Sequence, residues 1–114
     1  MDYATNPRVT FDYEIIETLE AGLLLKGHEV RSIKTGKVSL RGSYVKIIDN
    51  KPVLVGATIS PYQEGNMPAD YDPQASRQLL LSKHELATIT GLSKTQGLTL
   101  IPLKLYAKGK LIKL

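Results

Sequence analysis

The chain has no cysteine and no tryptophan, a single phenylalanine, and only two histidines, His28 and His84, in 114 residues. The missing cysteines exclude disulfides, thiolate nucleophiles and cysteine-bearing zinc sites. Two histidines leave little for a metal centre, and no metal or cofactor is expected. No apolar run approaches the roughly 20 residues of a membrane span, and residues 1–6 lack the charged-then-apolar order of a signal peptide. The expectation is a cytoplasmic protein with no membrane partner. With 42% hydrophobic and 23% charged residues, the composition is that of a globular chain, long enough for one domain over 1–114 and too short for two.

Charge is unevenly placed. The net charge is +4 and the pI about 9.3, a balance compatible with an anionic partner. Between Lys26 and Lys46 stand six basic residues (Lys26, Arg31, Lys34, Lys37, Arg41, Lys46) against one acid, Glu29. The end of the chain carries Lys104, Lys108, Lys110 and Lys113 with no acid among them. Acids gather instead over residues 12–20 and 64–72.

Periodicity and breakers outline the elements. Residues 11–25, "FDYEIIETLEAGLLL", are rich in branched and aromatic residues and read as a strand with a bend at Gly22. Residues 28–35 space Val30 and Ile33 along one face and Arg31 and Lys34 along another, before Gly36, which suits a left-handed stop. That is a short amphipathic helix. "SYVKIID" and "PVLVGATI" flank Asp49, Asn50 and Lys51 as a hairpin, with Pro52 at a strand start or edge. Residues 60–76, with three prolines, read as a long loop. Ser82 and Glu85 form a capping box opening a second helix with Leu86, Ile89 and Leu92 as its apolar stripe and Gly97 as its stop. "LTLIPLKLYA" and "LIKL" make a last hairpin around residues 108–110. The order predicts a mainly β fold, a small antiparallel sheet of five or six strands closing into a barrel with two or three short helices.

Catalytic readings fare poorly. Neighbouring residues on a helix point about 100° apart, so His28 and Glu29 cannot serve as base and orienter for one another. His84 and Glu85 share that fault, and "GLSKT" lacks the spacing of a phosphate loop. Nucleic-acid binding fits better, because a positive strip attracts a phosphate backbone through counterion release. Barrels of this size also stack unpaired bases on exposed side chains, for which Phe11, Tyr13, Tyr44, Tyr62, Tyr71 and Tyr106 are candidates. A protein-interaction module ranks second and an enzyme last.

The segment "DYEIIETLEAGLLLKGHEVRSIKTGKVSLRGSYV" resembles the N-terminal half of the SsrA-binding protein (small protein B) family. That family's pattern is E-A-G, a few apolar residues, then G-x-E-V-K-S-[LI]-[RK]-x-G-K. "ISPY", "DP", "R-x-LLL" and "GLTLIPLKLY" follow in the family's order, so the resemblance covers about residues 6–114. It implies a six-stranded oligonucleotide/oligosaccharide-binding-type barrel with flanking helices. It also implies a monomeric, non-enzymatic factor that binds the tRNA-like domain of transfer-messenger RNA and delivers it to stalled ribosomes in trans-translation, touching the decoding region of the small subunit mainly through a C-terminal basic tail. The alternative is a barrel of the same kind serving another structured RNA or a ribosomal surface.

Carried onto matching positions, the resemblance assigns Glu20, Glu29, Arg31, Leu80 and Ser82 to an RNA face. A glutamate there would accept hydrogen bonds from a base edge or ribose hydroxyl, and Leu80 would lie against an unstacked base. Lys26, Lys34, Lys37 and Lys94 would meet phosphates. Asn6 and Arg8 keep part of a basic edge that Pro7 interrupts. Ser82 stands where asparagine is common and has fewer bonding atoms. Arg31 replaces lysine and can add a bidentate phosphate contact. The family continues into a further strand and a basic tail. The expectation for this chain is that RNA binding is kept and tagging on ribosomes is lost.

Overall fold

Alternation of inward and outward side chains sets the wall of a curled antiparallel sheet. The structure is a computed structural model and describes residues 1–62 and 70–114. In chain order its elements are β1 (Asp2–Thr5), α1 (Val9–Asp12), β2 (Gly22–Leu23), α2 (Gly27–Lys34), β3 (Val38–Ser39), β4 (Tyr44–Ile48) and β5 (Lys51–Val55). They continue with β6 (Thr58–Ile59), β7 (Arg77–Leu80), α3 (Lys83–Gln96), β8 (Lys104–Lys108) and β9 (Leu111–Lys113). β4 and β5 pair from Tyr44 opposite Val55 to Ile48 opposite Lys51. Asp49 and Asn50 both take positive φ, 48° and 63°, which is what a two-residue turn matched to strand twist requires. Pro52 is the second residue of β5, before pairing with β7 begins at Val53. There its missing N–H breaks no bond to β7.

The main sheet has seven strands in the order β1-β8-β9-β2-β7-β5-β4. Its far edge returns to the β8 side, because Val45 bridges Leu100 and its N–H donates to the Leu100 carbonyl at 3.0 Å. The strands β4-β5-β7-β2-β9-β8 thus curl round until β4 meets the segment before β8 at this single bridge, with β1 added along β8. The mainly β antiparallel fold with a few short helices is the one expected, and its curl is consistent with the oligonucleotide/oligosaccharide-binding type. β3 and β6 form a separate two-stranded ladder. The interior is filled by Ala21, Leu40, Leu54, Ala57, Leu79 and Leu105. A fully buried leucine contributes about 1.5–3 kcal/mol, so this cluster is the main source of stability.

The helices follow their local signals. Ser82 Oγ accepts from the Glu85 N–H at 3.1 Å while Glu85 Oε1 accepts from the Ser82 N–H at 3.0 Å. Gly97, with φ 63°, ends α3. α2 has eight residues, fewer than a helix needs to persist alone, and fully buried Ile33 anchors it. The expected strand over residues 11–25 is corrected. Phe11 and Asp12 belong to α1, only Gly22 and Leu23 are strand, and residues 13–21 form no regular element. Branched composition there is met by no ladder partner for residues 14–20 among the described residues. Of the expected loop over 60–76, residues 63–69 lie outside the described residues, and the flanking 70–76 has no helix or strand.

Candidate nucleic-acid interface

α2 divides its side chains by charge. Arg31 and Lys34 are exposed, as are Lys26 before the helix and Lys37 after it, whereas Glu29, Ser32 and Ile33 are buried. Lys37 Nζ donates to the Tyr62 carbonyl at 3.1 Å and sits 5.9 Å from the Tyr62 ring centroid. Four cations therefore line one short stretch of surface with no exposed acid between them. Such a strip suits a phosphate backbone, to which each lysine contributes charge without reading a base.

Glu29 points the other way. It is 5% exposed, and its Oε2 accepts from Arg77 Nη2 at 2.8 Å and Nε at 3.0 Å. Oε1 accepts from the Lys26 backbone N–H at 3.0 Å, and the Tyr71 hydroxyl approaches Oε2 at 3.4 Å. Arg77 Nη1 donates to the carbonyls of Ala57, Pro73 and Ala75 at 3.2, 3.0 and 2.7 Å. Burial by itself raises the Glu29 carboxyl, but the Lys26 N–H and the Arg77 guanidinium outweigh it and hold it below the ordinary value. The arrangement pins α2 and its neighbouring loop to β7. Its carboxylate is consumed by the fold on the face opposite the exposed cations.

A second patch forms where β2 meets β7. Gly22 lies opposite Leu80, which places Glu20, two residues before Gly22, near Ser82, two residues after Leu80. Leu80 is 46% exposed. Gly22 leaves room for it, since a Cβ at Gly22 would come within 3.4 Å of Leu80 Cβ. Glu20 accepts from the Tyr106 hydroxyl and from Lys108 Nζ at 2.9 Å. The bond from Lys108 and then that from Tyr106 hold the Glu20 carboxyl below its usual range, while the bond to Glu20 pushes the Tyr106 phenol up to about 12. A fixed carboxylate, an exposed leucine and the Ser82 hydroxyl thus share one patch with Lys108 beside it.

The other expected residues lie apart. Asn6 is tied to the barrel through its backbone N–H to the Leu103 carbonyl at 2.8 Å and its Nδ2 to the Pro102 carbonyl at 2.9 Å. Arg8 is exposed, with φ 67° and its guanidinium 5.8 Å from the Phe11 ring centroid. Lys94, in the last turn of α3, lines a cleft with Lys46 and Asn50 of the β4–β5 hairpin. Composition and spacing did not single out Arg77, and they offered Tyr106 only as a stacking candidate and Lys108 only as part of a basic chain end, neither as a partner of Glu20. A buried arginine leaves no local pattern, and its partner is 48 residues away. Among the described residues no group of three or more His, Asp or Glu side chains could hold a metal ion.

The SmpB protein family model matches residues 3–114. The chain belongs to the SmpB family. Among curated relatives, the SsrA-binding protein of Chloroflexus aggregans is 42% identical over 110 residues, covering 96% of this chain and 70% of that protein. The SsrA-binding protein of Thermus thermophilus is 48% identical over 101 residues, covering 89% and 69%. That of Anoxybacillus flavithermus is 45% identical over 111 residues, covering 97% and 71%. A solved chain described as "tmRNA-SmpB: a journey to the center of the bacterial ribosome" superposes with a TM-score of 0.74 at 44% identity, covering 96% of this chain and 76% of that one. The SmpB resemblance read from the motifs is thereby established, and the fold is similar to that of the solved chain.

Proposed function

We propose that the chain is a cytoplasmic RNA-binding factor, not an enzyme, that binds transfer-messenger RNA at its tRNA-like end and brings it to stalled ribosomes in trans-translation. The observation that carries this reading is SmpB membership over nearly the whole chain, together with a fold shared at 44% identity with a solved tmRNA-SmpB chain. Among the described residues no helix is long and apolar enough to cross a membrane.

Two surfaces divide the work. Lys26, Arg31, Lys34 and Lys37 draw in the phosphate backbone, Arg31 with a fork that can hold two phosphate oxygens. Glu20, Leu80 and Ser82 supply selectivity, because a carboxylate held in place by Tyr106 and Lys108 accepts from ribose or base donors and Leu80 covers an unstacked base. Glu29 acts as a positioning residue that fixes the pitch of the basic helix. Asn6, Arg8 and Lys94 extend the contact at its margins, and the ribosomal contact, with the decoding region of the small subunit, is made mainly by the basic tail with which the family continues.

The test is a titration with the tRNA-like domain at several salt concentrations, using the parent chain, Lys34→Ala and Glu20→Ala. Loss of one phosphate contact reduces the salt slope by about one in the lysine variant. The glutamate variant should lose affinity while keeping the parent's slope. Equal slopes for parent and lysine variant would remove α2 from the interface.

A further inference from the structure

Four neighbouring strands turn a common outer face to the surface, and only its Leu80 corner has been given a role. The ladder sets Lys46 opposite Val53 and Val53 opposite Gln78. The Leu24 N–H donates to the Gln78 carbonyl at 3.0 Å, so one row of side chains crosses β4, β5, β7 and the end of β2. Because side chains alternate between the two faces of a sheet, Tyr44 and Ile48 stand on either side of Lys46, Lys51 and Val55 on either side of Val53, and Leu80 follows Gln78. The residues between them point inward, Leu54 and Leu79 being 1% and 4% exposed.

This outer face is apolar and basic at once. Leu24, Leu80, Ile48 and Tyr44 are 53, 46, 46 and 37% exposed. Val53 and Val55 are half-buried between them, and Lys46 and Lys51 are exposed. None of the outward positions just named is acidic. Lys46 Nζ stands 5.7 Å from the Tyr44 ring centroid, which sets a cation beside a flat apolar surface. Beyond β4, Lys46, Asn50 and Lys94 line one cleft. At the opposite side, Leu24 is two residues before Lys26 of the basic strip. At ordinary inter-strand spacing the face is about 14 Å wide from β4 to β2, room for a few nucleotides.

We propose that this face is a platform for a run of unpaired RNA that enters beside Lys26 and leaves past Tyr44 between Lys46 and Lys94. Tyr44 stacks one base, Leu24 and Val53 underlie others, and Lys46 and Lys51 hold phosphates. A duplex keeps its bases stacked inside and would meet only the lysines, leaving the Tyr44 ring and the exposed aliphatics uncovered, whereas a single strand offers a base for each apolar position and a phosphate for each cation. A second copy of the chain would bring two lysine-bearing faces together. The inference rests on the reading of the chain as an RNA binder, and adds the form that the RNA takes beside the Leu80 patch.

The experiment uses the whole chain, isotope-labelled at its methyl groups, with an unstructured RNA oligonucleotide of about eight nucleotides, within the range that one domain of this type covers, and with a duplex of the same sequence. The oligonucleotide should bind more tightly than the duplex and shift the methyl signals of Leu24, Val53 and Leu80. Tyr44→Phe should bind it as the parent does, and Tyr44→Ala about tenfold more weakly. Lys46→Ala, at an exposed position, should melt as the parent does and lower the salt slope by about 0.7, the value for one phosphate of a single strand. Equal affinity for oligonucleotide and duplex, or unaltered binding and slope in both Tyr44→Ala and Lys46→Ala, overturns the proposal. So do shifts of the same methyl signals on concentrating the chain without RNA, since the occupant is then a second copy. A parallel titration with the tRNA-like domain separates the two readings. Tight binding of that domain with no effect of Tyr44→Ala on either RNA would sink the platform alone, whereas weak binding of the domain beside Tyr44-dependent binding of the oligonucleotide would sink the transfer-messenger reading and support the platform.

Discussion

Replacing Arg77 by alanine strips the buried Glu29 of its only ion-pair partner among the described residues. The two side chains are 4% and 7% exposed and meet at 2.8 Å, so water cannot take over the role of the guanidinium without opening the structure. Removing one member of a buried pair costs about 3–5 kcal/mol, chiefly because a desolvated charge is left behind. Three carbonyls, those of Ala57, Pro73 and Ala75, lose a donor at the same time. A domain of this size has roughly 5–15 kcal/mol to lose, and each kcal/mol moves Tm by about 4 °C. Urea unfolding followed by circular dichroism should show the loss, and a thermal scan a Tm lower by roughly 12–20 °C. The pH dependence carries a second signature. In the parent, Glu29 is held below its ordinary value, so its stabilisation is complete above the unfolded value of about 4.3 and is lost as pH falls through the lower folded value. In Arg77→Ala, burial outweighs the remaining bonds and raises the carboxyl, so the variant's penalty is full above that raised value and relieved as pH falls through it. The stability gap between the two proteins should therefore narrow from pH 7 towards pH 4. A loss below about 1 kcal/mol, the scale of a surface pair, or a gap that does not depend on pH, would refute the account of Glu29 as an inward, charged anchor.

Two further perturbations test the neighbouring patch. Ser82→Ala removes one half of the capping box of α3 and should cost about 1 kcal/mol in urea unfolding; an unchanged midpoint would mean that the cap is not formed in solution. Spectroscopic titration of the tyrosines should find one phenol ionising near 12, that of Tyr106, and Glu20→Gln should return it towards the ordinary range, whereas an unaltered titration would separate Glu20 from Tyr106.

The legible parts of the fold are those set by neighbours in sequence. The β4–β5 turn, the β8–β9 hairpin and both ends of α3 are written in residues within a few positions of each other, and each formed where expected. β1, β3, β6 and β7 are two to four residues long, too short for alternation to show, and exist because distant strands pair with them. Residues 13–20 illustrate the converse. Their composition suits a strand, yet a strand is defined by its partner, and the ladder from β9 reaches only to Ala21. At the interface, the spacing of Arg31 and Lys34 already placed them on the outer face of α2. The inward turn of Glu29 depends on Arg77, 48 residues away. The setting of Glu20 depends on Tyr106 and Lys108, 86 and 88 residues away. Motif resemblance supplied those positions without supplying the partners that hold them.

The central claim is selective recognition of transfer-messenger RNA, and competition binding tests it most directly. The chain is held with labelled tRNA-like domain of that RNA and challenged with unlabelled domain or with ordinary tRNA, at one physiological salt concentration. The account predicts that unlabelled domain displaces the label at far lower concentration than tRNA does, and that Glu20→Ala brings the two closer together. Equal displacement by both RNAs would contradict it and leave a barrel that binds RNA by charge alone.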